Sequence, residues 1–146
     1  MDRFERIFDY LLRVEGGYTD DKHDKGGKTK YGIIEEEARE FGYKGDMQDL
    51  TIDFAKNIYL KKYYLGNKLD KVANDKVALS ICDWAVNSGK NGIKNAQIAI
   101  NQLTNANLDV DGIIGSKTLE ALNAVDSEKF LEVYHSLQRI YYRAKV

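Results

Sequence analysis

The sequence predicts a mainly helical α+β fold, and three observations carry that prediction. Apolar residues recur at three- and four-residue intervals over most of the chain, the stripe of helices packed on a core. No proline occurs anywhere, so glycines and polar clusters alone punctuate the helices. Residues 18–33 stand apart as a polar stretch, rich in turn formers and flanked by β-formers. With 146 residues, 43% hydrophobic and 31% charged, the chain can bury one proper core, with room for two compact lobes sharing it.

Phe4, Ile7, Phe8, Leu11 and Leu12 form the stripe of the first helix, which Gly16-Gly17 ends. A loop or short hairpin follows over residues 18–33. Helical patterning then resumes near 35–41, 51–65, 75–88, 92–103, 116–124 and 127–143. The plausible seam is Ser88-Gly89-Lys90-Asn91-Gly92, which separates a lobe of residues 1–90 from a smaller helical lobe of residues 91–146.

Composition removes several function classes. A net charge of -1 and a pI near 6.1 leave no overall field for nucleic acid or anionic membrane. Cys82 is the only cysteine, so stability comes from packing, and its apolar helical setting marks a small core hydrophobe. The N-terminus carries acids and no unbroken apolar run, which fits neither a secretory signal nor a membrane span and implies synthesis in the cytoplasm. His23 and His135 lie in no metal-ligand cluster, and His135 reads as a helix-surface residue. Asn107-x-Asp109-x-Asp111-Gly112 opens like a calcium loop, but Thr118 at the twelfth position lacks the bidentate carboxylate, so a turn and a helix N-terminus capped near Ser116 are expected. Neither metal nor cofactor is expected.

Two acids point to chemistry. Leu11, Phe8 and Phe4 precede Glu15 by four, seven and eleven residues, which puts Glu15 along the apolar stripe and in the last helical turn. Desolvation and the negative end of the helix dipole both favour its protonated form, as a general acid near neutral pH requires. The plain alternative is a surface glutamate at a fraying helix end. Asp24 lies in the polar, glycine-rich loop, where water and backbone N–H groups keep a carboxylate ionised. Thr29 follows with a hydroxyl able to hold a water, and Gly26-Gly27 lets the backbone approach a sugar. Two carboxyls in contrasting environments are the equipment of glycoside hydrolysis, although an ordinary loop also carries Asp, Gly and Thr.

Glu15-Gly16-Gly17-Tyr18 and Asp24-Lys25-Gly26-Gly27-Lys28-Thr29-Lys30-Tyr31-Gly32-Ile33 resemble the E-G-G-Y...D-x-G-G-x-T-x-Y-G-I signature of glycoside hydrolase family 108. Its members are N-acetylmuramidases of lysozyme-like fold, found in phage endolysins and in bacterial proteins once called secretion activators. The resemblance implies that Glu15 is the catalytic glutamate. Glu15, Asp24 and Thr29 are also spaced like the Glu...Asp...Thr triad of phage lysozymes, with the gap before threonine one residue shorter. That likeness implies an inverting reaction, whose carboxyls stand more than about 6.5 Å apart, whereas about 5 Å means retention. Ile81-Cys82-Asp83-Trp84-Ala85-Val86-Asn87-Ser88-Gly89 is similar to the family's D-x-A-V-N-x-G helix. There Asp83 and Asn87 share one face, either lining the cleft, or supporting Glu15, or acting as a helix-capping pair. Residues 109–121 resemble the D-G-x-x-G-x-x-T-x-x-A element of the predicted peptidoglycan-binding region that follows in this family. The likeness runs from about Phe4 to Arg143. It departs at Lys30, where members commonly carry Asn, and at Val146, where this chain stops while many members extend past the Tyr141-Tyr142-Arg143 region.

The expectation is therefore a lysozyme-like catalytic lobe over 1–90 and a helical peptidoglycan-binding lobe over 91–146 packed on it. The expected reaction is hydrolysis of the β-1,4 bond between N-acetylmuramic acid and N-acetylglucosamine, with Glu15 as acid, Asp24 as base or electrostatic partner and Thr29 as water positioner. Tyr18, Tyr31, Asp83 and Asn87 are the substrate-binding candidates, while Tyr59, Tyr63 and Tyr64 fit a core-facing helix. Lys22, Lys25, Lys28 and Lys30 either attract the carboxylates of the wall or solvate the loop. The expected partner is bacterial peptidoglycan, with no nucleic acid and no stable membrane insertion, a monomeric state, and a holin or export system giving access to the wall, as for a phage or prophage endolysin. The alternatives are a catalytically inactive peptidoglycan-binding or secretion-regulating module, and a lytic transglycosylase, which leaves anhydromuramic ends.

Overall fold

The computed structural model describes residues 2–15, 17–20 and 28–144, with the side chains of Glu15, Thr19 and Asp20 outside the described part. Two compact units divide the chain, Met1–Lys62 and Tyr63–Val146. Among the described residues there are seven α-helices and one three-stranded antiparallel sheet, the mainly α, α+β class that the sequence predicts.

In the first unit, α1 spans Arg3–Glu15. Asp2 caps it by accepting the Glu5 N–H at 2.8 Å, and the stripe Phe4, Ile7, Phe8 and Leu11 is buried. The 18–33 stretch resolves into a sheet: β1 is Tyr18–Asp20, β2 is Lys28–Lys30 and β3 is Ile33–Ile34, in the order β1-β2-β3. Lys30 pairs with Ile33, leaving Tyr31-Gly32 as a two-residue turn. Both carry positive φ, 53° and 79°, the pattern of a type I′ hairpin turn whose twist suits the flanking strands. Gly32 adopts that conformation freely; Tyr31 does so at a cost of about 1 to 2 kcal/mol.

The next helix, α2, spans Glu35–Glu40, and Gly42 at φ 89° turns the chain away from it. Glu37 on this helix is only 5% exposed, and its carboxylate meets Lys62 Nζ at 2.7 Å. Arg39 holds the following loop by donating to the carbonyls of Tyr43 at 3.0 Å and Gly45 at 2.6 Å. α3 spans Ile52–Ile58, capped by the Thr51 hydroxyl on the Phe54 N–H at 3.1 Å. The expected single helix over 51–65 is corrected here: at Tyr59–Tyr64 the coil widens into a π-turn.

In the second unit, α4 spans Asp75–Ser88, α5 Lys90–Leu103, α6 Ser116–Ala124 and α7 Ser127–Arg143. The Ser88–Gly92 stretch, expected as a seam, is the junction of α4 and α5 inside this unit. Gly89 alone separates the two helices, with φ 58° and ψ -133°, so α5 starts two residues earlier than its pattern suggests. Gly92 lets the helices touch: a Cβ there would stand 2.7 Å from the Ala85 nitrogen and 2.9 Å from the Trp84 carbonyl carbon. α7 completes the core by laying Tyr134 against Trp84, ring centroids 4.9 Å apart, and sending its hydroxyl to the Gly92 carbonyl at 2.8 Å.

Two local expectations fail. α6 is preceded by Gly115 and has no side-chain cap, so Ser116 is not the cap but the first helical residue. His135 is half-buried, with Nε2 3.1 Å from the Ser80 hydroxyl, because α7 packs that face on α4. Cys82 is fully buried, and burial pushes its thiol up to about 12, which leaves it inert. No helix among the described residues is long and apolar enough to cross a membrane.

Candidate active site

Glu15 is the last residue of α1, and Tyr18 opens β1 three residues later. The Glu15 side chain lies outside the described residues, as do His23, Lys22, Lys25, Gly26-Gly27 and Asp24, which falls between Asp20 of β1 and Lys28 of β2. What the first unit does display is the frame on which those residues hang.

Thr29 is the centre of the middle strand, paired with Thr19 on one side and Ile34 on the other. Directly opposed residues in an antiparallel sheet share a face, so Thr29 lies on the face opposite Tyr18, Lys30 and Ile33. Ile33 is fully buried, which makes its side of the sheet the core side. Thr29, half-buried, is on the other face. Tyr18 and Thr29, joined in the expected site, thus belong to opposite faces of one sheet.

Tyr31 occupies the hairpin turn and is anchored twice. Its carbonyl accepts the Tyr59 hydroxyl at 2.7 Å, and the Lys30 ammonium lies 5.2 Å from its ring centroid. Lys30 also donates to the Gln48 carbonyl, which ties this member of the lysine cluster to the backbone of the first unit. The same bonds show what pattern reading misses: Tyr59 reads as core, and only the fold reveals that its hydroxyl meets a turn 28 residues earlier.

Asp83 and Asn87 sit on α4 in the second unit and bond each other. The Asn87 amide donates to the Asp83 carbonyl at 2.9 Å and to its carboxylate at 3.3 Å. Asn87 is exposed, while Asp83 is half-buried. Burial raises the Asp83 carboxyl above its ordinary range, partly offset by the Asn87 bond and the charge of His135.

Gln97 is a further polar residue that the sequence reading passed over. It is 1% exposed and donates to Asp111 Oδ1 at 3.0 Å, to the Ile113 carbonyl at 3.0 Å and to the Thr118 hydroxyl at 3.2 Å. The signal for it was present: a glutamine four residues after Ile93 and three before Ile100, inside an apolar stripe. Its bonds, and that of the Ile113 N–H, hold the Asp111 carboxyl below its usual range.

The sequence profile described as glycosyl hydrolase 108 matches residues 8–89, more than half of the chain. The chain belongs to glycoside hydrolase family 108. Among solved structures it is similar to SagA of Brucella abortus, with a TM-score of 0.82 and 26% sequence identity over 96% of this chain and 79% of that one. No curated protein matches it. The family 108 chain is thus a glycoside hydrolase of the peptidoglycan-hydrolase type, with a lysozyme-like α+β fold. The family match contains Glu15, Asp24, Thr29, Asp83 and Asn87.

Proposed function

We propose that this chain is an N-acetylmuramidase that hydrolyses the β-1,4 bond between N-acetylmuramic acid and N-acetylglucosamine in bacterial peptidoglycan. Glu15 is the acid that protonates the leaving sugar oxygen, Asp24 the ionised partner that activates water or stabilises the oxocarbenium charge, and Thr29 the holder of that water. The observation that carries this reading is the frame of the first unit. An apolar stripe runs along α1 to Glu15, and Thr29 stands on the middle strand of the adjoining sheet, on the face turned away from the buried Ile33.

Glu15 ends its helix, where the last carbonyls disfavour a carboxylate and so favour a proton donor. Tyr31 offers a ring for sugar stacking, and on the second unit Asp83 with Asn87 offers a carboxyl and an amide for sugar hydroxyl and acetamido groups. The enzyme works as a monomer, reaching the wall through a holin or an export system, without a metal or cofactor.

The test compares wild type with Glu15→Gln on purified peptidoglycan, measuring reducing ends and the mass of the products. Release by the wild type of fragments with reducing N-acetylmuramic acid ends, abolished in the variant, is the expected result. Anhydromuramic ends would make it a transglycosylase, and binding without release would make it a wall-binding module.

A further inference from the structure

We propose that the Tyr59 hydroxyl is a positioning group of this glycosidase: by holding the Tyr31 carbonyl it fixes the hairpin that carries Thr29 relative to the helix that carries Glu15. This rests on the muramidase reading above.

Tyr59 is 1% exposed and so positions other groups without touching substrate itself. Its ring packs on Phe8 of α1, centroids 5.6 Å apart and tilted by 56°, and Phe8 precedes Glu15 by seven residues on the same helix. Phe8 is itself stacked on Phe4 at 6.1 Å, so the ring is seated on the apolar stripe of α1. From that seat the hydroxyl donates to the Tyr31 carbonyl at 2.7 Å. One side chain therefore contacts both elements whose relative placement the chemistry requires.

The turn needs such an anchor. Type I′ turns favour Asn or Gly at their first central position, whereas here a tyrosine is held at φ 53°. A hairpin closed by a disfavoured residue is weakly specified by its own turn, and external bonds must supply the geometry. Lys30 provides one through the Gln48 carbonyl, and Tyr59 provides the other at the turn itself. Thr29 is next to Lys30 on β2, two residues from the anchored carbonyl. For core filling alone phenylalanine would serve; the hydroxyl matters because a buried O–H needs a partner, and this one selects the turn.

The experiment is Tyr59→Phe, which deletes the hydroxyl and keeps the ring, assayed on a soluble peptidoglycan glycan at a temperature where melting curves show both proteins folded. The expected result is a kcat lower by about tenfold with KM changed by less than about twofold, the signature of misplacement rather than lost binding. The same substitution is then made in a Tyr31→Asn background, whose Asn-Gly turn closes unaided. There it is expected to change kcat by less than about twofold, and each comparison is made within one background, so any effect of Tyr31 on substrate binding cancels. Equal kcat losses in both backgrounds, or a lower melting temperature with kcat unchanged, overturn the proposal. An inert wild type overturns the muramidase reading and the positioning role with it, whereas an active wild type with an equally active Tyr59→Phe overturns the positioning role alone.

Discussion

The side-chain amide of Gln97 bonds Gly112 and its neighbour as a backbone strand would: Oε1 accepts the Gly112 N–H at 3.0 Å while Nε2 donates to the Ile113 carbonyl at 3.0 Å. One turn along α5, Asn101 repeats the device on Leu108, accepting its N–H at 2.7 Å and donating to its carbonyl at 2.9 Å. Two amides four residues apart thus template the irregular chain between α5 and α6, giving its backbone polar groups the partners that a sheet would otherwise supply.

Replacing Gln97 by leucine keeps the volume and leaves the Gly112 N–H, the Ile113 carbonyl and the Thr118 hydroxyl without this partner. Because Gln97 is 1% exposed, water cannot readily substitute, and a loss of about 2 to 4 kcal/mol in unfolding free energy is expected from urea denaturation. A change below about 0.5 kcal/mol would mean that the loop holds its shape unaided.

Gly92 and Gly115 make a matched pair. At Gly92 an added Cβ meets backbone atoms of Ala85 and Trp84 inside 3.0 Å, and backbone cannot rotate aside; at Gly115 nothing lies within 4 Å. Gly92→Ala should therefore destabilise by about 2 to 3 kcal/mol, with Gly115→Ala changing stability by less than about 1 kcal/mol. Equal melting temperatures for the two variants would contradict the close α4–α5 approach.

Much of this architecture was readable because helices announce themselves locally. The bounds 75–88, 116–124 and 127–143 coincide with α4, α6 and α7, since each carries an apolar stripe with a polar or glycine break at both ends. The π-turn at Tyr59–Tyr64 was not, because its tyrosines and lysines satisfy a 3.6-residue period as well as a wider one. Glu15, Asp24 and Thr29 were legible as a spaced motif. The contrast between the two faces of the sheet was not, because it depends on the register Thr29↔Ile34, set by a turn at Tyr31-Gly32 that the sequence left as loop or hairpin. The Tyr59 hydroxyl and the Gln97 amide escaped for the same reason: each finds its partners 14 or more residues away, where no local pattern reaches.

Asp83 gives the second unit a pH dependence. Burial raises its carboxyl, so the folded chain holds this proton to a higher pH than the unfolded chain does. Between the two values folding takes up a proton, so the stability contributed at Asp83 falls as pH rises through that window and stays lower above it. Asp83→Asn keeps an oxygen for the Asn87 amide and removes the charge. The variant should melt higher than wild type at about pH 7 and lose that advantage at about pH 3, below both values. A difference in melting temperature that does not change between these two pH values would show that the carboxylate is not penalised by its surroundings.

Thr29 separates chemistry from folding in the first unit. It lies in the middle strand, where valine has the same branched shape and suits the pleat at least as well. Thr29→Val is therefore expected to keep the unfolding free energy within about 1 kcal/mol of wild type, since its half-buried face is not the Ile33 side. On the proposed water-holding role, removing the hydroxyl should nevertheless lower reducing-end release by about a hundredfold, and Thr29→Ser, which keeps it, should recover most of the rate. Wild-type turnover in the valine variant would exclude the water-holding role and shift that task to the carboxylate of Asp24, whereas equal losses in valine and serine would show that the methyl group, through packing, is what the site requires.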